Sequence, residues 1–400
     1  MHLQSSPEFL RHLVGFDTTS SGSNLALIDF VEAYLAGFGV ASERVYDASG
    51  QKANLWATIG PADVPGIVLS GHTDVVPVAG QEWRSDPFTL TKRDGRLHGR
   101  GACDMKGFIA CVLAAVPNML ATDLARPIHL AFSYDEEVGC VGVVGLLEAL
   151  KGRATLPQYC VVGEPTSMAV VVAHKAKRSA RVTVTGRACH SSLAPQGVNA
   201  IEYAALFIAR LREIGARLAR EGKRDEAYDV PFTTAHTGKI HGGTALNIVP
   251  DACQFEFEFR VMPGEDPDAL VAEIAAYARD VLETEMRAIA PEAGIAIEVF
   301  AAVPGIETAP ESGLVKLAQR FAGSNGHAKV AYGTEAGRFK EILGIETVIC
   351  GPGRIAEAHR PDEYVEIAQL ERCDAFLAGL INWAADAAQG GRQEPRRLRA

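Results

Sequence analysis

A chain of 400 residues, 48% hydrophobic and 22% charged, is long enough for two or three domains and too apolar to be disordered. Its 39 Lys and Arg against 49 Asp and Glu leave a net charge of -10, which excludes a basic surface for nucleic acid. The eight cysteines are scattered with no C-x-x-C pair, and there is neither a signal-like start nor an uninterrupted apolar run of about 18 residues, so a reduced, soluble, cytoplasmic protein without membrane contact is expected.

Taken in chain order, the first part alternates helical and extended signals. A helix is predicted over Asn24 to Phe38, then strands at Gly66 to Ser70, Ile128 to Tyr134 and Gln158 to Val162. Helices at Gly107 to Ala115 and Val143 to Leu150 separate them. Short apolar strands spaced by helices predict an α/β domain with a largely parallel sheet flanked by helices. From Ser179 the order changes to strand, helix, strand, strand, helix, strand. The successive segments are Ser179 to Arg187, Asn199 to Arg220, Thr233 to Ile240, Cys253 to Met262, Pro267 to Glu285 and Ile295 to Phe300. Strict alternation in Phe255-Glu256-Phe257-Glu258-Phe259 marks a half-buried strand. The pattern is the β-α-β-β-α-β (ferredoxin-like) unit. Alternation resumes with a helix at Gly313 to Phe321, a strand at Thr347 to Cys350 and a helix from Val365 to about Ala388. The expected division is therefore residues 1–177, an inserted unit over 178–301, and residues 302–400 returning to the first domain. The tail from Gly390 to Arg399 has no apolar period and is expected to fray, its arginines solvated.

The chemistry-bearing residues cluster after strands. His72 and Asp74 in Gly71-His72-Thr73-Asp74 lie two apart on an extended segment, so the carboxylate can orient the imidazole as metal-binding histidines require. Taken alone, His72 reads as well as a core histidine. Asp104, in a Gly-rich turn from Gly99 to Gly107, reads as well as a helix cap. That turn lacks the glycine spacing of a dinucleotide loop, which argues against a nucleotide oxidoreductase. Asp135-Glu136-Glu137 crowds three carboxylates after a strand, where repulsion raises their pKa values unless a cation compensates. Glu164 follows the next strand, and His359 sits in a loop before the last helix. Parallel strand ends share one edge of an open sheet, so two imidazoles and several carboxylates converge there, a mixed N/O set suited to two divalent ions.

In this order the motifs Ser70 to Pro77, Gly99 to Gly107, Asp135 to Gly139, Gly163-Glu164-Pro165 and His359 to Glu363 resemble those of the acetylornithine deacetylase and succinyl-diaminopimelate desuccinylase family of two-metal amidohydrolases. The resemblance spans nearly the whole chain. It implies two divalent ions per subunit, zinc or in its place cobalt, with Asp104 bridging, His72 and Glu164 on one ion, and Glu137 and His359 on the other. By the same resemblance Asp74 orients His72, and Glu136 is the base that takes a proton from the water between the ions and returns it to the leaving amine. The inserted unit resembles the family's lid and dimerisation domain. That likeness implies a homodimer in which His190, in Arg187 to Ser192, stabilises the oxyanion in the partner's site; from its position alone His190 merely ends a strand.

Asn247, in Gly242 to Asn247, and Arg260 resemble substrate-binding positions, the guanidinium suiting the substrate's α-carboxylate. Gly333-Thr334-Glu335 resembles the deacetylase version of a substrate loop, where Glu335 attracts a cationic side chain or caps a helix. The implied reaction is hydrolysis of a small N-acyl amino acid, N2-acetyl-L-ornithine first, in arginine biosynthesis. The rivals are desuccinylation, broader N-acyl-amino-acid hydrolysis, or, in another class, a catalytically silent small-molecule-binding protein.

Overall fold

The apolar runs at Ile67–His72, Ile128–Ser133, Tyr159–Pro165 and Glu346–Gly351 form the centre of a mixed sheet in the computed structural model, which describes residues 4–386. The run Gly390 to Arg399 lies outside the described residues. Contacts divide the chain into two units. One holds residues up to Val172, Thr308–Ala328 and Thr334 onward; the other holds Ala173–Glu307 and Lys329–Gly333. The insertion is thus a few residues wider on each side than the strand alternation suggested, and it takes in Gly333.

In the larger unit the sheet order is Ser42–Tyr46, Ala53–Ile59, Ile128–Ser133, Ile67–His72, Tyr159–Pro165, Glu346–Gly351. The last four are mutually parallel. The expected largely parallel sheet is corrected at its margins, where Ala53–Ile59 runs antiparallel to Ile128–Ser133 and Ile349 pairs antiparallel with Val171. The reason on the first side is connectivity, because Ile59 and Ile67 both lie level with Ile128 and the short stretch 60–66 between them is too brief for the crossover that a parallel strand would need. The Ile67–His72 and Ile128–Ser133 strands are buried at every position, which explains their largely apolar character.

Register decides what the sheet edge presents. Ile67 lies level with Ile128 and Tyr159, and Ser70 level with Ala131 and Val162. His72 therefore ends beside Ser133, and Glu164 two residues past Val162 reaches the same level. The helix Lys106–Ala121 crosses close above: a Cβ on Gly163 would sit 1.9 Å from the Phe108 ring, and one on Gly71 would sit 2.9 Å from Ile109. Glycine at both positions lets this helix settle onto the strands, which brings Asp104, just before its start, over the strand ends. The helices Ser6–Val14 and Ile367–Ala385 pack against it.

The smaller unit has the predicted element order, with four strands in the order Thr234–Gly242, Ala252–Val261, Ala176–Thr185, Gly294–Val303, all antiparallel. The alternating phenylalanines Phe255, Phe257 and Phe259 face its core with Phe207 of the Ala200–Glu221 helix. The single helix expected from Pro267 to Glu285 runs instead as Pro267–Tyr277, a π-turn Ala278–Leu282 and Glu283–Ile289. No helix among the described residues is long and apolar enough to cross a membrane.

Candidate metal centre

The larger unit gathers His72, Asp104, Glu136, Glu137, Glu164 and His359 from five separate segments into one cluster. His72, Asp104 and Glu164 are almost wholly buried, whereas His359 is half exposed. Asp104 stands between the two imidazoles. Its Oδ1 lies 3.0 Å from His72 Nε2 and its Oδ2 lies 3.2 Å from His359 Nε2. Glu164 Oε1 is 3.9 Å from His72 Nε2, and Glu137 Oε2 is 3.0 Å from His359 Nε2. The two histidines thus each meet one Asp104 oxygen and one glutamate. Glu136 lies with His72 and Glu164 in a second grouping, close enough to share a ligand.

Local structure explains the orientations. His72 Nδ1 donates to the main-chain oxygen of Asp74 at 2.9 Å, which aims Nε2 at the cluster, where it donates to Asp104 and would offer its lone pair to a cation once that proton is lost. The Asp74 carboxylate, 3.5 Å from Nδ1, is engaged elsewhere: it accepts the Ser20 hydroxyl and the main-chain N–H groups of Glu136 and Glu137. Asp74 therefore orients His72 chiefly through its backbone and uses its side chain to hold the turn that carries Glu136 and Glu137. Asp135, which opens that turn at a φ of 53°, is fixed by Lys52. The Cys140 thiol donates to Glu136 Oε1 at 3.1 Å. The Asp104–Met105 peptide is cis.

Burial, then the neighbouring charge of Glu137, pushes the Glu136 carboxyl up to about 8 even though the His72 charge opposes it. Burial and the charge of Asp104 raise Glu137, and burial with the charges of Asp104 and Glu136 raises Glu164. Burial opposes ionisation of Asp104, yet hydrogen bonds from His359 and His72 hold it below the ordinary carboxylate range. Hydrogen bonds to Asp104 and Glu137 lift His359 to about 10. Four carboxylates around two imidazoles, with unlike pKa directions among them, form a donor set that fits two divalent cations of N/O preference.

The expected substrate residues fare differently. Glu335 requires a correction: it is wholly buried, and its two oxygens accept the hydroxyls of Ser70 and Ser133 at 2.7 Å each, so it is not presented to a cationic side chain. It makes no side-chain cap either. Thr334 is also buried, and its Oγ1 accepts the Ala336 N–H at the start of the Ala336–Arg338 turn, so it too faces inward. Gly333 falls in the smaller unit beside Val303. In that unit Arg260 is paired through two nitrogens with Glu258, so a substrate carboxylate would have to displace that partner. His190 and Asn247 are brought together: Ser191 N–H donates to the Asn247 oxygen, and His190 bridges to Ile248. His190 Nδ1 accepts the Ser192 N–H at 3.2 Å, which puts the ring proton of a neutral imidazole on Nε2.

Sequence reasoning passed over Gln81, Arg100 and Glu363, which brace the cluster from outside. Glu363 was visible in the His359 to Glu363 motif, but nothing in the spacing tied it to Asp104.

The sequence matches Peptidase family M20/M25/M40 over residues 68–383. The chain belongs to this family. It is 38% identical over 377 residues to an acetylornithine deacetylase of Myxococcus xanthus, covering 93% of this chain and 95% of that one. A metallo-carboxypeptidase of the M20 family from Sulfolobus solfataricus shares the fold at a TM-score of 0.77 and 18% identity, covering 96% of this chain and all of the other. A dinuclear metal-binding M20 peptidase from Bacillus subtilis superposes at a TM-score of 0.66 with 16% identity, over 94% of this chain and 96% of that one. M20 membership makes the protein a metal-dependent hydrolase by family.

Proposed function

We propose that this chain is a dinuclear amide hydrolase that deacetylates N2-acetyl-L-ornithine to L-ornithine and acetate, a step of arginine biosynthesis. Asp104 facing His72 with one oxygen and His359 with the other is the observation that carries the reading. His72 and Glu164 would hold one cation, Glu137 and His359 the second, and Asp104 both. Two bound divalent cations, zinc or cobalt, supply the positive charge that polarises the amide carbonyl and makes a water acidic at neutral pH.

The remaining work falls to the protein. Glu136, hydrogen-bonded by Cys140 and with a pKa raised to about 8 without metal, sits among the ligand side chains where it can take the proton of the attacking water. It then returns that proton to the α-amine as the C–N bond breaks, so the acetyl carbon gains the water oxygen and the amine gains the hydrogen. His190, with its proton on Nε2, is suited to donate to the oxyanion across a homodimer formed by the inserted unit. Asn247 beside it, and Arg260 exchanging Glu258 for the α-carboxylate, would bind the substrate. The choice of acetylornithine rests on the named relative, since Glu335 is buried away from any cationic side chain. A cytoplasmic setting accords with eight cysteines that are all free thiols.

Amine release from N2-acetyl-L-ornithine, N-succinyl-diaminopimelate and N-acetylmethionine by zinc- or cobalt-loaded protein tests the reading. A kcat/KM of about 10⁴ M⁻¹s⁻¹ or more on the first alone supports it. Activity confined to another of the three would keep the chemistry and change the substrate, and silence on all three would favour a binding protein.

A further inference from the structure

Two loops that bear candidate ligands, one with Asp104 and one with His359, are joined by a chain of polar contacts, buried at Glu363 and Arg100 and reaching the surface at Gln81, that the reaction itself does not use. Glu363 is at its centre, 1% exposed. Its Oε1 accepts the main-chain N–H groups of Cys103 at 2.9 Å and Asp104 at 3.1 Å. Its Oε2 accepts Arg100 Nη1 at 2.6 Å, and Arg100 is itself 1% exposed. The other Arg100 nitrogen, Nη2, donates to Gln81 Oε1 at 2.5 Å. Gln81 Nε2 then donates to the main-chain oxygen of His359 at 3.0 Å. Arg100 Nη1 also reaches the Arg360 oxygen at 3.4 Å. The run closes on itself, since Glu363 lies four residues beyond His359.

We propose that Glu363, Arg100 and Gln81 act as positioning residues that fix the separation of Asp104 and His359, and thereby set the affinity of the cation held by Asp104, Glu137 and His359. The inference rests on the dinuclear reading. None of the three touches the cluster with its own side chain; Glu363 and Gln81 each hold the backbone of a ligand, and Arg100 links the two. Such a role accounts for features that stability alone explains poorly. A buried Arg–Glu pair loses hydration that its Coulomb attraction repays only with good geometry, and apolar residues of like volume often serve stability as well. The contacts at the two ends are not with filler but with the amide of Asp104 and the carbonyl of His359. His359 also holds a φ of 62°, a left-handed conformation that a non-glycine residue keeps only under outside constraint, and the Gln81 contact falls on that same residue. By contrast, His72 and Glu164 are placed by strand register and owe nothing to this relay.

The asymmetry gives the test. Metal-free full-length protein is titrated with Co²⁺, following heat and visible absorption, for the wild type and for Gln81→Leu, Arg100→Lys, Glu363→Gln and His359→Ala. Wild type is expected to take up two equivalents, and His359→Ala to identify the equivalent that depends on that loop. Gln81→Leu and Arg100→Lys should weaken that same equivalent by about 10- to 100-fold, leave the other within threefold, and lower kcat with KM unchanged. Glu363→Gln, which still offers an oxygen to the two N–H groups, should fall between them and the wild type. Gln81 is only half buried, so its variant decides the matter if a change at Arg100 prevents folding. Unchanged affinity of both equivalents in Gln81→Leu, or equal weakening of both together with a lowered melting temperature, would overturn the proposal. A wild type that takes up no cobalt would instead overturn the dinuclear reading, and that result appears before any variant is compared.

Discussion

Asp74 holds the main chain of Glu136, its Oδ1 accepting the Glu136 N–H at 3.1 Å while Oδ2 takes the N–H of Glu137. The side chain that the sequence assigns to His72 thus governs the aim of the proposed base. Asp74→Ala is expected to leave three donors without their acceptor, including the Ser20 hydroxyl, and to displace the turn. The expected outcome is a fall in kcat of at least about 100-fold with both metal equivalents retained, checked by steady-state kinetics alongside elemental analysis. Loss of metal with normal turnover per bound ion would contradict it.

Glu136→Gln keeps the shape and an oxygen for the Cys140 thiol but cannot carry a proton. It should retain metal stoichiometry and lose roughly 10²- to 10⁴-fold in kcat. Near-normal turnover would remove Glu136 from the role of base.

Asp104→Ala deletes the one side chain that faces both imidazoles, so metal content should drop in both sites rather than in one. Elemental analysis after dialysis reads this directly, and full occupancy would show that Asp104 is not shared.

Glu335→Gln should leave substrate preference unchanged, because the carboxylate is enclosed by Ser70 and Ser133 and does not face a substrate. The ratio of kcat/KM for acetylornithine and acetylmethionine is the measure; a shift of more than about tenfold in that ratio, or about 1.4 kcal/mol, would restore a direct role.

His129, stacked on Trp56 and bonded to Thr58, offers a pH test away from the cluster. Burial, and then the charge of Arg153, lowers its pKa from 6.5 to about 4. Between those values the unfolded chain binds a proton that the folded one does not, so stability present above pH 6.5 is lost as pH falls toward 4. At pH 5 this group alone should cost about 2 kcal/mol relative to pH 7.5. Denaturant titrations of wild type and His129→Phe at both pH values should show their stability difference shrinking in favour of the variant on acidification. A difference independent of pH would mean that His129 titrates normally in the fold.

The legible parts of the fold were those whose signals are local. Four largely apolar strand runs and the alternating phenylalanines of the insertion announced themselves, and strand ends on one sheet edge made the ligand cluster readable from His72, Glu136-Glu137 and Glu164. The Ala53–Ile59 strand did not, because Asn54 and Thr58 interrupt it and their side-chain partners, Gly142 and His129, lie far along the chain. The helix Ser6–Val14 was marked by the Ser5–Glu8 capping box and Pro7, a signal present but not used. Glu335 was misread for a physical reason: its serine partners lie 265 and 202 residues away in sequence, and no spacing rule reveals such a contact. Arg260 was the opposite case, since Glu258 sits two residues before it on the same strand face and the pairing could have been anticipated.

The position of His359 and Glu363 near the chain's end sets an order of events during synthesis. The strands bearing His72, Glu136 and Glu164 leave the ribosome long before the segment that completes the cluster, and the whole inserted unit is made in between. The segments with His72, Asp104, Glu136, Glu137 and Glu164 are made first, and the imidazole that meets Asp104 and Glu137, His359, is added last. On the proposed assignment, the second cation therefore gains its histidine only once the His359 loop has been made and seated.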